Sequence, residues 1–303
     1  MKLTDKNITI IAIALIVVFS GATPVFSKIA LRELTPEYFS FLRFFLASVA
    51  LAPIFFKNRV KLNKDLILLI LISLILTLNI LSFSYGVRLT TATIGQLLYA
   101  VGPVFIVIFS YFIIKEKITR RKILGITLGI VGTVIVIVLP VIQHGNPFSG
   151  NLLGNMFVMI GVLSTALYTA LSKKLHIKFS PIQVTMIFFL TTLFTMLALS
   201  FPQIMQEPNK IFLIEPRSLI GVIYVGAFST PLLYLMYQYA IKHGSPLIAS
   251  TNFFLTPFST LVWANVLIGE ALTPFLGIGG ILVLLGTYFI VKSSKKGEID
   301  IET

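Results

Sequence analysis

An all-α polytopic membrane protein, with about ten transmembrane helices arranged as two inverted five-helix repeats, is the fold this sequence predicts. Three observations predict it. Hydrophobic residues make up 56% of the 303 positions and charged ones only 12%, with a mean hydropathy of +0.97. That composition cannot furnish the charged surface of a soluble protein. Apolar runs near or above ~18–20 residues recur, the length that crosses a bilayer as a helix, and lipid leaves the backbone no partner but itself. Lastly, Tyr85–Glu116 returns as Tyr239–Glu270 without a gap: Tyr85, Arg88, Pro103 and Glu116 align with Tyr239, Lys242, Pro257 and Glu270 at a constant offset of 154, which is 239 minus 85. A mid-helix proline and an acid at the helix end, occurring twice, mark a duplicated unit. The alternating ten-residue segments of an outer-membrane barrel are absent.

The spans are read at 8–30, 37–56, 66–86, 92–114, 122–140, 152–172, 182–200, 218–241, 246–268 and 274–292. The first has the outline of a signal peptide, but no A-x-A cleavage site follows it, so it is expected to be a retained helix. Its Ser27-Lys28 recurs as Ser172-Lys173 at the end of the sixth span, an offset of 145, or 173 minus 28. Thr35-Pro36 before the second span recurs as Ser180-Pro181 before the seventh, at the same offset. The eighth and ninth spans repeat the third and fourth at 154. The tenth repeats the fifth, with Gly125, Gly132 and Thr133 matching Gly279, Gly286 and Thr287. The two offsets differ because a longer loop, rich in Pro and acid, occupies 201–217. Two units follow, 8–140 and 152–292, and a tail at 293–303.

Five helices per unit place the second unit upside down, and the charges agree. With the N-terminus inside, the inner segments hold the basic clusters Lys57–Lys64, Lys115–Lys122, Lys173–Lys178 and Lys292–Lys296. The outer segments hold only Lys28, Arg32, Arg88, Lys210 and Arg217. Positive residues stay on the cytoplasmic side, so both termini are expected in the cytoplasm of a cell in whose inner membrane the protein sits. Related segments also carry opposite bias: Arg120-Arg121-Lys122 follow Thr119, whereas Pro274-Phe275-Leu276 follow Thr273.

The same clustering accounts for the net charge of +13 by membrane topology, so no nucleic-acid partner is expected. Cysteine is absent, which excludes disulfides, thiolate catalysis and Cys-ligated metal. His144, His176 and His243 fall in predicted loops far apart, so no metal site is expected. None of the 11 acids lies mid-span. A proton relay or an intramembrane enzyme needs titratable groups there, so no catalytic residue and no enzymatic activity are expected.

What the interior offers is neutral polarity and aromatic rings. Gln96, Tyr99, Pro103 and Ser110 share a helical face, as do Ser20, Thr23 and Ser27 on the first span and Ser164, Tyr168 and Ser172 on the sixth. Asn79 on the third span, Tyr234 and Gln238 on the eighth, and Asn252 on the ninth join them. Thr23, Asn79, Gln96, Tyr99, Tyr168, Tyr234, Gln238 and Asn252 are the candidate substrate-binding residues of a central cavity. Serines and threonines serve equally well to pack helices, while a buried amide needs a stronger reason. Pro103 and Pro257 remove a backbone donor and leave carbonyls free at Tyr99 and Phe253, which makes them candidate hinges. Trp263 is read as an interfacial anchor. Arg43, two turns into its span, is explained by snorkelling, by pairing with Glu33 or Glu37, or by attraction of an anionic substrate. Glu116 and Glu270 cap helix ends or gate.

These residues resemble the drug/metabolite transporter superfamily, specifically its EamA-type members, over nearly the whole chain. The repeat of that family ends in a Pro-containing helix, then Gly-Glu and a hydrophobic-Thr pair; Pro103 with Lys115-Glu116-Lys117-Ile118-Thr119 and Pro257 with Gly269-Glu270-Ala271-Leu272-Thr273 match it. Leu42-Arg43-Phe44 resembles its second-helix pattern. Ser20-Gly21 stands where the family often has Trp-Gly, and Lys115 replaces the first-repeat Gly. The resemblance implies ten helices, alternating access, and commonly export of amino acids or other small metabolites without a bound cofactor. Uptake, flipping of a lipid-linked sugar, and a scaffold or sensor that has lost transport stay open. Membrane lipids are the other partner expected; the oligomeric state is not legible.

Overall fold

The computed structural model describes residues 4–58, 60, 64–89, 98–143, 152–268 and 274–294. All regular structure among them is helical. Six helices are long and apolar enough to cross a membrane, and Leu98–Ile114 and Gly277–Ser293 are shorter apolar helices. In chain order the helices are α1 (Asp5–Ser20), α2 (Thr23–Ala30), α3 (Pro36–Phe56), α4 (Lys64–Leu89), α5 (Gly102–Ile114), α6 (Arg120–Gln143) and α7 (Leu152–Leu175). Then come α8 (Pro181–Gln206), α9 (Lys210–Leu213), α10 (Pro216–Ile223), α11 (Thr230–His243), α12 (Pro246–Ser250), α13 (Asn252–Ile268) and α14 (Pro274–Ser294).

Three spans read as continuous are broken. Pro24 lacks the N–H that would reach the Ser20 carbonyl, and the first span stops at Ser20 and restarts at Thr23. The carbonyls freed there find partners on other spans: Val18 O accepts from the Trp263 indole at 2.8 Å, and Phe19 O from the Tyr224 hydroxyl at 2.7 Å. Trp263 is therefore tied to the first span rather than serving only as the interfacial anchor read from sequence. The ninth span breaks at Thr251, between α12 and α13. In the fourth span Pro103 lies in the first turn of α5, after a turn at Val101, whereas Pro257 lies inside α13. The two aligned prolines thus occupy different local structures, because the break precedes one closely and the other by nearly two turns. The eighth span passes from α10 to α11 through a π-helical segment, Tyr224–Ser229, where Thr230 N bonds Val225 O. Such bulges insert one residue into the helical ladder and re-aim the side chains that follow.

The packing map repeats under exchange of the two units. The third span packs on the sixth as the first packs on the eighth, and the fourth packs on the sixth as the first packs on the ninth. The second and seventh spans pack on each other, as do the fifth and tenth. The fifth–tenth contact is the closest: a Cβ on Gly125 would stand 2.6 Å from the Gly286 carbonyl oxygen, and one on Gly132 would stand 2.6 Å from that of Gly279. Those two contacts interchange under the offset of 154, so one symmetric approach of backbones requires glycine at Gly125, Gly132 and Gly286.

The two faces of the bundle differ. The terminal face, which carries Asp5, is tied by Lys178–Asp65 at 2.6 Å, His243–Asp5 at 2.6 Å and Lys122–Glu116 at 2.9 Å. At the distal face Glu37 accepts from Tyr85 and Glu33 from Ser218 and the Glu215 N–H. A cavity of about 410 Å³ opens there between α3 and α8, lined by Thr35, Glu37, Ser200 and Gln203 among others.

Candidate functional site

The central cluster is built where the second, sixth and eighth spans meet. On α3, residues 40, 44, 47, 48 and 51 recur at helical spacing and bury one face. Arg43, next to Phe44, projects toward α11. There its Nε donates to the Thr230 hydroxyl at 2.6 Å, the Tyr234 hydroxyl is within hydrogen-bonding reach, and its Cζ lies 5.4 Å from the Phe44 ring centroid. The π-helical segment positions this contact, since it ends at Ser229, whose hydroxyl meets that of Thr23 at 2.5 Å, and hands over to Thr230.

Arg43 has no carboxylate partner among the described residues. Glu33 and Glu37, the pairing options read from sequence, are committed to Ser218 and Tyr85 at the distal face. Rings surround it instead: Tyr234 lies 4.9 Å from Phe188 and 5.9 Å from Phe189, and Phe44 packs edge-on against both. Tyr168 joins the same group through Phe188, their ring centroids 6.0 Å apart, and Tyr99 and Tyr237 both meet Phe253, at 6.1 and 6.2 Å. Arg43, Tyr99 and Tyr234 keep part of their surface open, while Tyr168, Tyr237 and Gln238 are buried.

The other sequence candidates divide. Asn79 donates to Tyr99 and to the Gly161 carbonyl, the latter at 2.8 Å, and so aims the Tyr99 ring. Tyr168 accepts from Gln238 Nε2 at 2.8 Å. Asn252 is buried but donates to its own Ala249 carbonyl at 2.7 Å, so its amide is spent on the helix break and not offered to the centre. Ser164 and Ser172 likewise bond backbone carbonyls one turn earlier. Glu116 lies at the terminal face, where Lys115 takes a left-handed φ of 57° to end α5 and Lys122 pairs with it. Gln96 and Glu270 lie outside the described residues.

Sequence reasoning missed Thr230, Thr169 and His176. Thr169 lies between two helices, its hydroxyl 2.9 Å from that of Tyr237. His176 was set aside with the loop histidines, yet its Nε2 lies 2.8 Å from Gln238 Oε1 and its Nδ1 3.3 Å from the Phe179 carbonyl. A chain His176–Gln238–Tyr168 therefore runs from the terminal face to the cluster. Burial holds the His176 imidazole down at about 4, its bonds to Gln238 and Phe179 oppose this, and Lys242 and Lys173 add to it. The folded value is below the usual one near 6.5, so the unfolded chain takes up the proton first and stability falls as pH drops. Melting temperature in detergent is expected to decline between pH 6.5 and 4 and to decline less in His176→Asn; equal slopes would refute this account.

Several known proteins resemble the chain. The EamA-like transporter family matches residues 7–138 and again residues 152–292. An uncharacterized transporter of Archaeoglobus fulgidus is 28% identical over 285 residues, 93% of this chain and 98% of that protein. The uncharacterized transporter YetK of Bacillus subtilis is 25% identical over 94% of this chain and 87% of its own. A solved crystal structure superposes with a TM-score of 0.76 over 97% of this chain and 98% of that one, at 15% identity, a likeness of fold alone.

Proposed function

Because the chain belongs to the EamA-like transporter family, and is thereby a multi-pass membrane transporter, we propose that it exports a small organic metabolite carrying an anionic group, by alternating access. One observation carries the choice of substrate chemistry: Arg43, a cation within a transmembrane helix, has hydroxyl and ring neighbours but no carboxylate among the described residues. Removing a charge from water is expensive unless an opposite charge meets it, and a guanidinium beside tyrosine hydroxyls suits a carboxylate or phosphate. The rings of Tyr234, Phe188 and Tyr99 supply apolar contact for the remainder of a small molecule. Amino acids and related carboxylates fit that description.

The terminal face is cytoplasmic in this reading and the distal face external, so the bundle is closed inward. A reporter fused after Lys178 is expected to read cytoplasmic and one after Pro208 external; the reverse would overturn the orientation. Metabolite profiling of cells overproducing the protein, against cells overproducing Arg43→Gln, tests the function: an anionic compound should leave the first and not the second.

Pro103 and Pro257 are the proposed hinges. A proline inside a helix lets its two halves tilt, and Pro257, within α13, has the larger leverage. Pro257→Ala is expected to slow turnover in proteoliposomes more than it weakens binding, and unchanged kinetics would sink the idea.

A further inference from the structure

At the terminal face two side chains, Lys173 and His176, tie the sixth span to the eighth. Lys173, on the last turn of α7, donates to the carbonyls of Ile241, Lys242 and Gly244 at 3.0, 3.1 and 2.7 Å. These are the last carbonyls of α11 and the loop beyond it, groups that no helical N–H reaches and on which the negative end of the helix dipole falls. His176, one turn on, holds Gln238 of the same helix at 2.8 Å. Both contacts clasp one end of α11, whose other end carries Thr230 and Tyr234 against Arg43.

We infer that Lys173 bolts the gate at the terminal face: its ammonium holds α7 against the end of α11, and it must leave those carbonyls for the central cluster to open to that side. The inference rests on the alternating-access reading. Three features make Lys173 a bolt rather than a structural tie. It joins two transmembrane spans that bracket the cluster, not two neighbours in sequence. The three bonds to α11 and its loop are charge-assisted but made to backbone oxygens, which find water at the membrane surface once released, so the cost of breaking these three stays moderate. Above all, the repeat supplies an opposite number. Lys28 is Lys173 minus 145, and residues 87, 88 and 90 at the distal end of the third span are 241, 242 and 244 minus 154. The side chain of Lys28 lies outside the described residues. By sequence, however, the same bolt is available to the first repeat at the opposite face. The sixth and eighth spans pack together in this state. Among the described residues, the first and third show no comparable packing. Inverted repeats exchange such arrangements when access alternates.

The absence of cysteine gives a clean background for the test. Ser172, fully buried beside Lys173 and bonded to Thr169 O at 3.0 Å, is replaced by Cys. Its modification by a membrane-impermeant maleimide is then timed in vesicles that expose the terminal face. Lys173→Met is expected to speed labelling about tenfold, corresponding to about 1.4 kcal/mol. Lys173→Arg, which keeps the donors, should stay near the parent rate. Lys28→Met should slow labelling, because it weakens the state in which the terminal face is open. Flux of the metabolite found by profiling is measured in parallel. Unchanged labelling in Lys173→Met in a protein that still transports overturns the bolt and leaves transport standing. A protein without flux whose labelling shifts in these opposite directions supports the bolt and counts against transport. Labelling that shifts the same way in Lys173→Met and Lys28→Met overturns the reciprocal pairing.

Discussion

Exchange of Arg43 for Gln is expected to lower flux of the anionic substrate about 10- to 100-fold while the protein still reaches the membrane. The magnitude follows from losing a charged hydrogen bond to the substrate, about 1.5–3 kcal/mol, at about 1.4 kcal/mol per tenfold. Arg43→Lys should fall between, since it keeps the charge but loses the planar fork and the stacking on Phe44, 5.4 Å away. Stability separates this from a structural role. Arg43 meets Thr230 and Tyr234 but no carboxylate among the described residues. Removing it therefore strands no opposite charge, and melting temperature should hold or rise. If Arg43→Gln unfolds the protein, the arginine is a packing element and the anion site is wrong. Flux measured in proteoliposomes, beside melting in detergent, decides between them.

The opposite balance is expected of Lys122. Its ammonium bonds the Glu116 carboxylate at 2.9 Å and the Lys117 carbonyl at 2.8 Å, with side chains 8% and 15% exposed for Lys122 and Glu116. The second Glu116 oxygen has no hydrogen-bond partner among the described residues. Lys122→Met leaves a carboxylate buried with nothing to oppose it, a loss of about 3–5 kcal/mol for a pair broken on one side. Thermal melting should register it as a fall of many degrees. The double change Lys122→Met with Glu116→Gln should recover most of the loss, because no bare charge then remains. A Lys122→Met protein with normal melting but no flux would make the pair a gate instead of a clamp on the left-handed turn at Lys115.

Much of this molecule was legible beforehand, for reasons that differ by residue. The span pattern and the inverted duplication were readable because lipid demands continuous apolar helices and because an aligned offset survives where fold constrains it. Gly125 and Gly132 with their partners Gly279 and Gly286 are both a sequence match and a contact. Asn79 and Gln238 stand out in the sequence by the cost of burying an amide, and Tyr99, Tyr168 and Tyr234 as rings among polar helical positions; all five fall in or beside the cluster. Asn252 satisfied the same criterion and bonds its own helix. Cost of burial signals that an amide is satisfied, not by what.

Composition, periodicity and repetition alone therefore determined the environment, the helical class and the inverted order of spans, since each of these is enforced locally by solvent, backbone bonding or charge. Only the tertiary structure decided which side chains meet. It set Arg43 against Thr230 and Tyr234 rather than Glu33 or Glu37, split the first and ninth spans, and carried Lys173 to the end of α11. Those outcomes depend on where a π-helical segment and the helix breaks re-aim distant residues, and a side chain's direction there is set by packing between spans far apart in the chain.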